Sequence, residues 1–437
     1  MPITVLLEKN LSEKTKEICS FEKKLYFWTN FQFNCKFVHI MNKTLINREL
    51  KNTLKQYFTY FPVITLTGPR QSGKTTLCRT TFPDMPYVNF EDVSLLAEVR
   101  SNPKAFLERF PKGVIIDEAQ NYPEIFSYLQ VAVDEGIFRG ENDCHYIVTG
   151  SNNFALMEKV TQSMAGRTAV MTLLPLSTSE LTTSRGNYST LEFILNGGYP
   201  AIWQSDSQAR KILLSNYYST YIERDVRKLI NIKDLNAFQT FIRVCATRVG
   251  QEFNASNIAV ETGVAVNTIR NWMSILRASY VVYLLQPYYS NIGKRLVKTP
   301  KLYFYDTGLA AFLLGIQAEE QLDVHPMKGA LFENLVVNDI MKSGTNRGEE
   351  EQLFYYRDKS KHEVDVLRLL ADKLEAYEIK SCKTYSKGLF DNLDYLRPIL
   401  QDRLTKTMVV YDGEQESLSS DNGFFNFRNL TGCLYSK

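Results

Sequence analysis

Gly68-Pro69-Arg70-Gln71-Ser72-Gly73-Lys74-Thr75 is the stretch that decides the fold. It fits GxxxxGK[ST], a phosphate-binding loop, and its flanks supply the context that this pattern needs. The apolar run VITLT ahead of it reads as a buried strand, and TLCRT behind it as the start of a helix. Each residue type has a task. Glycines let the loop wrap closely, backbone N–H groups and the helix N-terminus cradle phosphates, and Lys74 neutralises the β/γ oxygens. Thr75 offers a hydroxyl to Mg2+. Pro69, Arg70, Gln71, Ser72 and Thr76 complete the expected ATP-binding set with Gly68 and Gly73.

Outward from this loop, strand-like runs alternate with helical stretches, the pattern of an α/β domain with a parallel sheet. YVNFED, GVIIDEA, HYIVTGS and TAVMTLLPL are the further strands expected. The run Val114-Ile115-Ile116 ends in Asp117 and Glu118, where ligands of open α/β sheets bind. Asp117 is expected to help hold Mg2+, and Glu118 to act as general base towards the attacking water. The run through Thr149 lies, on this reading, between the other two. Its Ser151 and Asn152 either face the γ-phosphate or cap the next helix. Arg167 reads as a transition-state arginine, acting in cis or on a neighbouring subunit, or as a plain surface arginine.

Composition frames the rest. The chain has 437 residues, 44% hydrophobic and 23% charged, which excludes global disorder and leaves room for several domains. Its 51 basic against 48 acidic side chains leave a net charge of +3, which gives no global nucleic-acid footprint. Seven scattered cysteines and four histidines suggest neither a disulfide framework nor a zinc site, and fit a reduced, cytoplasmic setting. No apolar run is long enough for a membrane span, so no membrane partner is expected. Residues 1–41 read as an N-terminal extension, with Met41 the expected biological start.

With these motifs in hand, the span 42–181 resembles the AAA-type ATPase domain of a large group of uncharacterised bacterial and archaeal ATPases. GPRQSGKTTL, VIIDEAQ, IVTGSNNF and the SMAGR…LLPLSTSEL block carry the resemblance. It implies Walker A and Walker B elements at residues 68–75 and at Asp117 and Glu118, and sensor-like Ser151 and Asn152. The likeness extends to about residue 390.

Further along, residues 253–285 read as helix, a turn at Gly263, and a second helix. Ile258, Val266, Ile269, Trp272 and Leu276 are spaced for a helix-turn-helix core, with Asn267, Thr268, Arg270 and Asn271 facing out. VVYLLQPYY then reads as a wing strand, with Lys294, Arg295, Lys298 and Lys301 on its basic tip, a DNA-reading geometry. The other reading is a helical module that only packs between domains. Asp306-Thr307-Gly308 reads as a turn opening a helix.

Near the end, Glu333 lies on an amphipathic helix, Asp365 on a strand, and Glu378 and Lys380 two apart on the next strand, hence on one face. This resembles the E…D…ExK pattern of the PD-(D/E)XK, restriction-endonuclease-like fold. The resemblance implies Asp365 and Glu378 as metal ligands, Lys380 as activator of the attacking water and Glu333 as auxiliary ligand. The expected architecture is therefore α/β: an AAA-type P-loop parallel sheet over 42–185, a helical lid and winged-helix-like module over 186–300, and a nuclease-like domain over 301–437. Two functions follow. Either ATP hydrolysis drives a nuclease-like domain acting on DNA or RNA, or it switches a catalytically silent binding module. A trans-acting Arg167 would require a homo-oligomer.

Overall fold

The structure, a computed structural model, describes residues 45–140, 145–151, 159–160, 162–186, 188–205, 209–226, 234–288 and 299–435. The chain divides into a unit ending at Asn47 and a second unit, Arg48–Lys437, which holds the secondary structure that follows. The expected N-terminal extension, residues 1–41, Asn152, and the tip residues Lys294, Arg295 and Lys298 lie outside the described residues.

β1 (Val63–Thr67) is buried along its whole length, as an uninterrupted apolar run requires when both faces of a sheet are covered. It is joined by β2 (Tyr87–Asn89), β3 (Ile115–Asp117), β4 (Tyr146–Thr149) and β5 (Thr168–Thr172). The five strands form one parallel sheet in the order β2-β3-β4-β1-β5. These are the runs expected as strands, and β4 does lie between the P-loop strand and the acid-tipped β3. Thr67, Asp117 and Thr149 therefore end on the same edge of the sheet.

Helices cover both faces. α1 (Leu50–Phe58) sets Leu50 and Leu54, one turn apart, into one core beside α2 (Lys74–Thr81). α3 (Ile125–Arg139) buries Ile125, Phe126, Leu129 and Val133 in the other. The polar stretch STSELTTSR at the end of the 42–185 span forms a helix, α4 (Thr178–Arg185). A reciprocal capping box of Ser177 and Glu180 starts it, and Glu180 is buried.

The middle of the chain is helical. α5 (Leu235–Thr247) packs Phe238 and Phe241 on Trp272, with ring centroids 5.3 and 5.5 Å apart. α6 (Ala255–Thr262) ends at Gly263, whose φ of 71° is the left-handed stop that glycine favours. α7 (Val266–Ala278) buries Ile269, Trp272, Met273 and Leu276, leaving Asn267, Arg270, Asn271 and Arg277 exposed. Asp306 caps the helix Thr307–Leu313 through Leu309 N at 2.8 Å, and its other oxygen accepts Gly198 N at 2.7 Å. The turn reading of this motif is the structural one.

The second sheet is built on β6 (Val282–Pro287), β7 (Lys301–Phe304), β8 (Gln352–Arg357), β9 (Glu363–Leu370) and β10 (Lys373–Lys380), continued by β11 (Leu404–Tyr411), β12 (Ser417–Leu418) and β13 (Asn422–Asn426). Its eight strands run β12-β13-β11-β10-β9-β8-β6-β7. β8, β9 and β10 pair antiparallel, and β10 then pairs parallel with β11 across the helix Asp391–Leu400. One expectation needs correcting. β6 and β7 form a hairpin, but β6 also pairs parallel with β8, so the hairpin is the edge of the C-terminal sheet rather than a free wing. A boundary at residue 300 would cut it in two.

A long helix, Lys328–Thr345 (hereafter α8), is buried on most sides, as expected of a helix packed within a core rather than on a surface. Asn334 and Asn338 both donate to Phe304 O, at 2.8 and 3.0 Å, which fastens it to β7. Among the described residues no helix is long and apolar enough to cross a membrane.

Candidate functional site

The loop between β1 and α2 is shaped by two glycines. Gly68 has φ of 138°, and a Cβ there would stand 2.3 Å from Leu173 O, so only glycine fits. Gly73, at φ 96°, opens α2. Lys74 is buried and donates to the loop's own carbonyls, Gly68 O at 3.0 Å and Pro69 O at 2.9 Å. Burial lowers Lys74 to about 8, against the opposing pull of Glu118 and Asp117. Ser72 Oγ is buried without a hydrogen-bond partner.

Asp117 gathers hydroxyls. Its Oδ2 accepts Thr75 Oγ1 at 2.7 Å and Tyr87 OH at 2.8 Å, and its Oδ1 accepts Thr149 Oγ1 and, at 3.1 Å, Glu118 N. Glu118 has φ of 56°, an uncommon backbone for a non-glycine residue at a strand end. Its carboxylate accepts from Gln120, and burial raises its pKa. Adjacent oxygen donors from Thr75 and Asp117 suit a hard divalent cation, and the orphaned Ser72 hydroxyl lies in a loop shaped for phosphate. Mg2+ and ATP fit these residues.

Other expected residues stand elsewhere. Ser151 is half-buried just beyond β4. Arg167 makes a two-pronged pair with Asp134, at 2.6 and 2.9 Å, and its carbonyl accepts Val63 N. That puts it at the start of β1, the end of the sheet opposite the P-loop, so it does not serve its own chain's phosphates.

Sequence reading missed several residues here. Arg48 donates to Ser72 O at 2.7 Å, Leu174 O at 2.6 Å and Glu180 Oε1 at 2.9 Å. Tyr280, just after α7, sets its hydroxyl 3.2 Å from Thr67 Oγ1, at the foot of the P-loop. Neither belongs to a local pattern, since every partner is distant in sequence.

The C-terminal acids do come together, but around lysine. Lys301, 1% exposed, lies 3.1 Å from Glu333 Oε1, 2.5 Å from Glu363 Oε1 and 3.9 Å from Asp365 Oδ1. It is no part of a basic tip. Burial alone would lower its pKa, but Glu333, Asp365 and Glu363 hold it above the ordinary lysine range. Tyr303 OH also donates to Glu333. Lys380 lies 2.7 Å from Glu378 Oε1 and 3.4 Å from Asp365 Oδ2, which also accepts Ile379 N at 2.8 Å. Asn392 Nδ2 donates to Glu378 Oε1 at 3.1 Å.

Magnesium does not fit the set Glu333, Asp365 and Glu378 expected from sequence. Among the described residues no three His, Cys, Asp or Glu side chains are placed to hold a metal ion. The physical reason is that lysines occupy the space between these acids: Lys301 and Lys380 pair with Asp365, Lys380 with Glu378, and Glu333 is taken up by Lys301 and Tyr303. Glu378 Oε2 is buried without a hydrogen-bond partner, and burial, with the charge of Asp365 beside it, raises the pKa of this carboxyl to about 7 against the pull of Lys380.

Residues 60–182 match the family model for an AAA domain. Residues 188–320 and 328–429 match two domains of unknown function, DUF8612 and DUF4143. Over 394 residues the chain is 29% identical to proteins of Mycobacterium tuberculosis and Mycobacterium bovis, both described as uncharacterised, covering 90% of this chain and 86% of each. Among solved structures it is similar to a Walker-type ATPase of Pyrococcus abyssi, with TM-score 0.42 and 13% identity over 62% of this chain and 96% of that one. It is also similar to the Aeropyrum pernix ORC1 protein in complex with DNA, with TM-score 0.28 and 13% identity over 63% and 93%. The parallel sheet, with its P-loop and the acids beside it, gives residues 60–182, the span that matches the AAA-domain model, a P-loop nucleoside-triphosphatase-like fold.

Proposed function

We propose that the protein binds and hydrolyses ATP with Mg2+, and that nucleotide state acts on the C-terminal domain. The observation that carries this reading is the hydrogen bond from Thr75 to Asp117 beside buried Lys74 and half-buried Glu118. A bound Mg2+ supplies positive charge at the β- and γ-phosphate oxygens. Lys74, desolvated and held by two carbonyls, exchanges them for phosphate oxygens. Thr75 and Asp117 offer the metal its protein oxygens. Glu118, with proton affinity raised by burial, takes the proton of the attacking water while Gln120 fixes its carboxylate. Glu118→Gln is expected to keep ATP binding and lose turnover about 100-fold or more. Phosphate release beside a nucleotide-binding titration checks this, and undiminished turnover would remove Glu118 from the base role.

The order of helix, three antiparallel strands, crossover helix and parallel strand in the C-terminal domain supports the restriction-endonuclease-like reading. Lys301 among its acids favours the silent form of that domain, a binding or signalling module. The exposed face of α7, with Asn267, Arg270, Asn271 and Arg277, supports nucleic-acid contact by the helix-turn-helix of α6 and α7. The full chain is therefore expected to bind DNA or RNA without cutting it in Mg2+ or Mn2+, with or without ATP. Gel-shift and cleavage assays on the same substrates check this. Cleavage lost in Lys380→Ala would reinstate the nuclease.

A further inference from the structure

Arg48 precedes α1 and lies well upstream of the P-loop, yet it is 8% exposed and its guanidinium is fully engaged within the ATPase domain. One nitrogen donates to Ser72 O, on the residue before Gly73, at 2.7 Å. A second donates to Leu174 O at 2.6 Å, and the third to Glu180 Oε1 at 2.9 Å. A Cβ on Gly73 would stand 4.0 Å from Arg48, so the guanidinium lies directly against the loop. Glu180 is fixed in turn by its capping box, accepting Ser177 N at 3.0 Å, and by Glu49 N at 2.9 Å.

The segment between β5 and α4, which Arg48 grips at Leu174, is gripped from the other side by α8. Lys342 donates to Leu176 O at 2.8 Å, and Asp339 accepts both the backbone N–H and the hydroxyl of Thr178. Two buried cations thus hold neighbouring carbonyls of one short connection, one anchored at the P-loop and the other on the long helix of the C-terminal domain.

We propose that Arg48 is a positioning residue of the nucleotide site, and that it ties the P-loop to α8 through residues 174–178. The proposal rests on the ATP-binding reading above. By fixing the Ser72 carbonyl, Arg48 orients the peptide that leads into Gly73 and Lys74, so phosphate binding there bears on the guanidinium. A displacement of Arg48 is felt at Leu174 and Glu180, and hence at the contacts of Thr178 and Leu176 with α8.

The planar fork matters, since a single lysine ammonium cannot meet three acceptors in this geometry. The test uses the full chain, with Arg48→Ala and Arg48→Lys. Arg48→Lys keeps a buried cation beside Glu180 and guards against loss of folding. Both variants are expected to bind ATP about 10- to 100-fold more weakly, the effect of losing charge-assisted hydrogen bonds. Added guanidinium ion is expected to restore binding to Arg48→Ala, which a merely structural defect would not allow. Hydrogen exchange across residues 328–345 is expected to slow on ATP binding in the wild type and to stay unchanged in Arg48→Lys at saturating ATP. Wild-type affinity in Arg48→Lys, or an undiminished response of α8, overturns the proposal while leaving ATP binding intact. A wild-type chain that binds no ATP removes the nucleotide reading and this one with it.

Discussion

Desolvating a lysine ammonium costs several kcal/mol, and Lys301 offsets that cost only because three carboxylates and the ring of Tyr355, 5.4 Å away, surround it. The dependence runs both ways, because Glu333 and Glu363 are tolerated at this depth through the lysine. Lys301→Met is therefore expected to destabilise the fold by about 3–5 kcal/mol, read from urea denaturation. A loss below about 1 kcal/mol would mean that the acids find other partners. Lys301 was illegible in sequence for a physical reason. It closes the basic run KRLVKTPK, whose reading as a solvated tip is sound for charges in general, and its acid partners lie on α8 and β9, beyond two intervening helices. Lys74, Thr75, Asp117 and Glu118 were legible because phosphate chemistry forces a short, contiguous pattern on the loop, and a strand end delivers the acids. Arg48 left no such mark.

At the scale of elements, α8 carries a buried carboxyl whose titration should be measurable. Burial raises Asp339 to about 6, against the opposing pull of Lys342 and the hydrogen bonds from Thr178. The unfolded chain holds that proton less tightly, at the ordinary aspartate value of 3.8. The contribution of Asp339 to stability is thus fully present below the unfolded value and is lost as pH rises through about 6, a change of about 3 kcal/mol. The melting temperature of the wild type is expected to fall between pH 4 and 7 relative to Asp339→Asn, and parallel curves would contradict this. The five strands of the first sheet were legible because each is a bounded apolar run. The placing of β6 was not, since the residues of a strand do not declare which neighbour its second edge will accept. The helix-turn-helix spacing was visible in Ile269, Trp272 and Leu276, which do form the buried stripe of α7.

Across the whole molecule, the chain leaves the P-loop domain at α4, passes through the helical middle, enters the second sheet along β6, and returns through α8 to the connection it left. Tyr280 adds a further tie, linking the end of α7 to the foot of the P-loop. The near-neutral net charge says little about partners in such a chain, because its strongest charges are spent internally, in Arg48 with Glu180 and Lys301 with its acids. The pairing of β6 with both β7 and β8 has a mechanical consequence. Pairing with β7 over Val282–Leu285 and with β8 at Gln286 and Pro287 holds the passage from the helical middle to the C-terminal sheet at both of its ends. Within Arg48–Lys437 the segments are therefore braced like a closed frame rather than strung like beads on a cord. A load applied at the corner that grips phosphate cannot be absorbed by one slack joint; it is shared by every member of the frame.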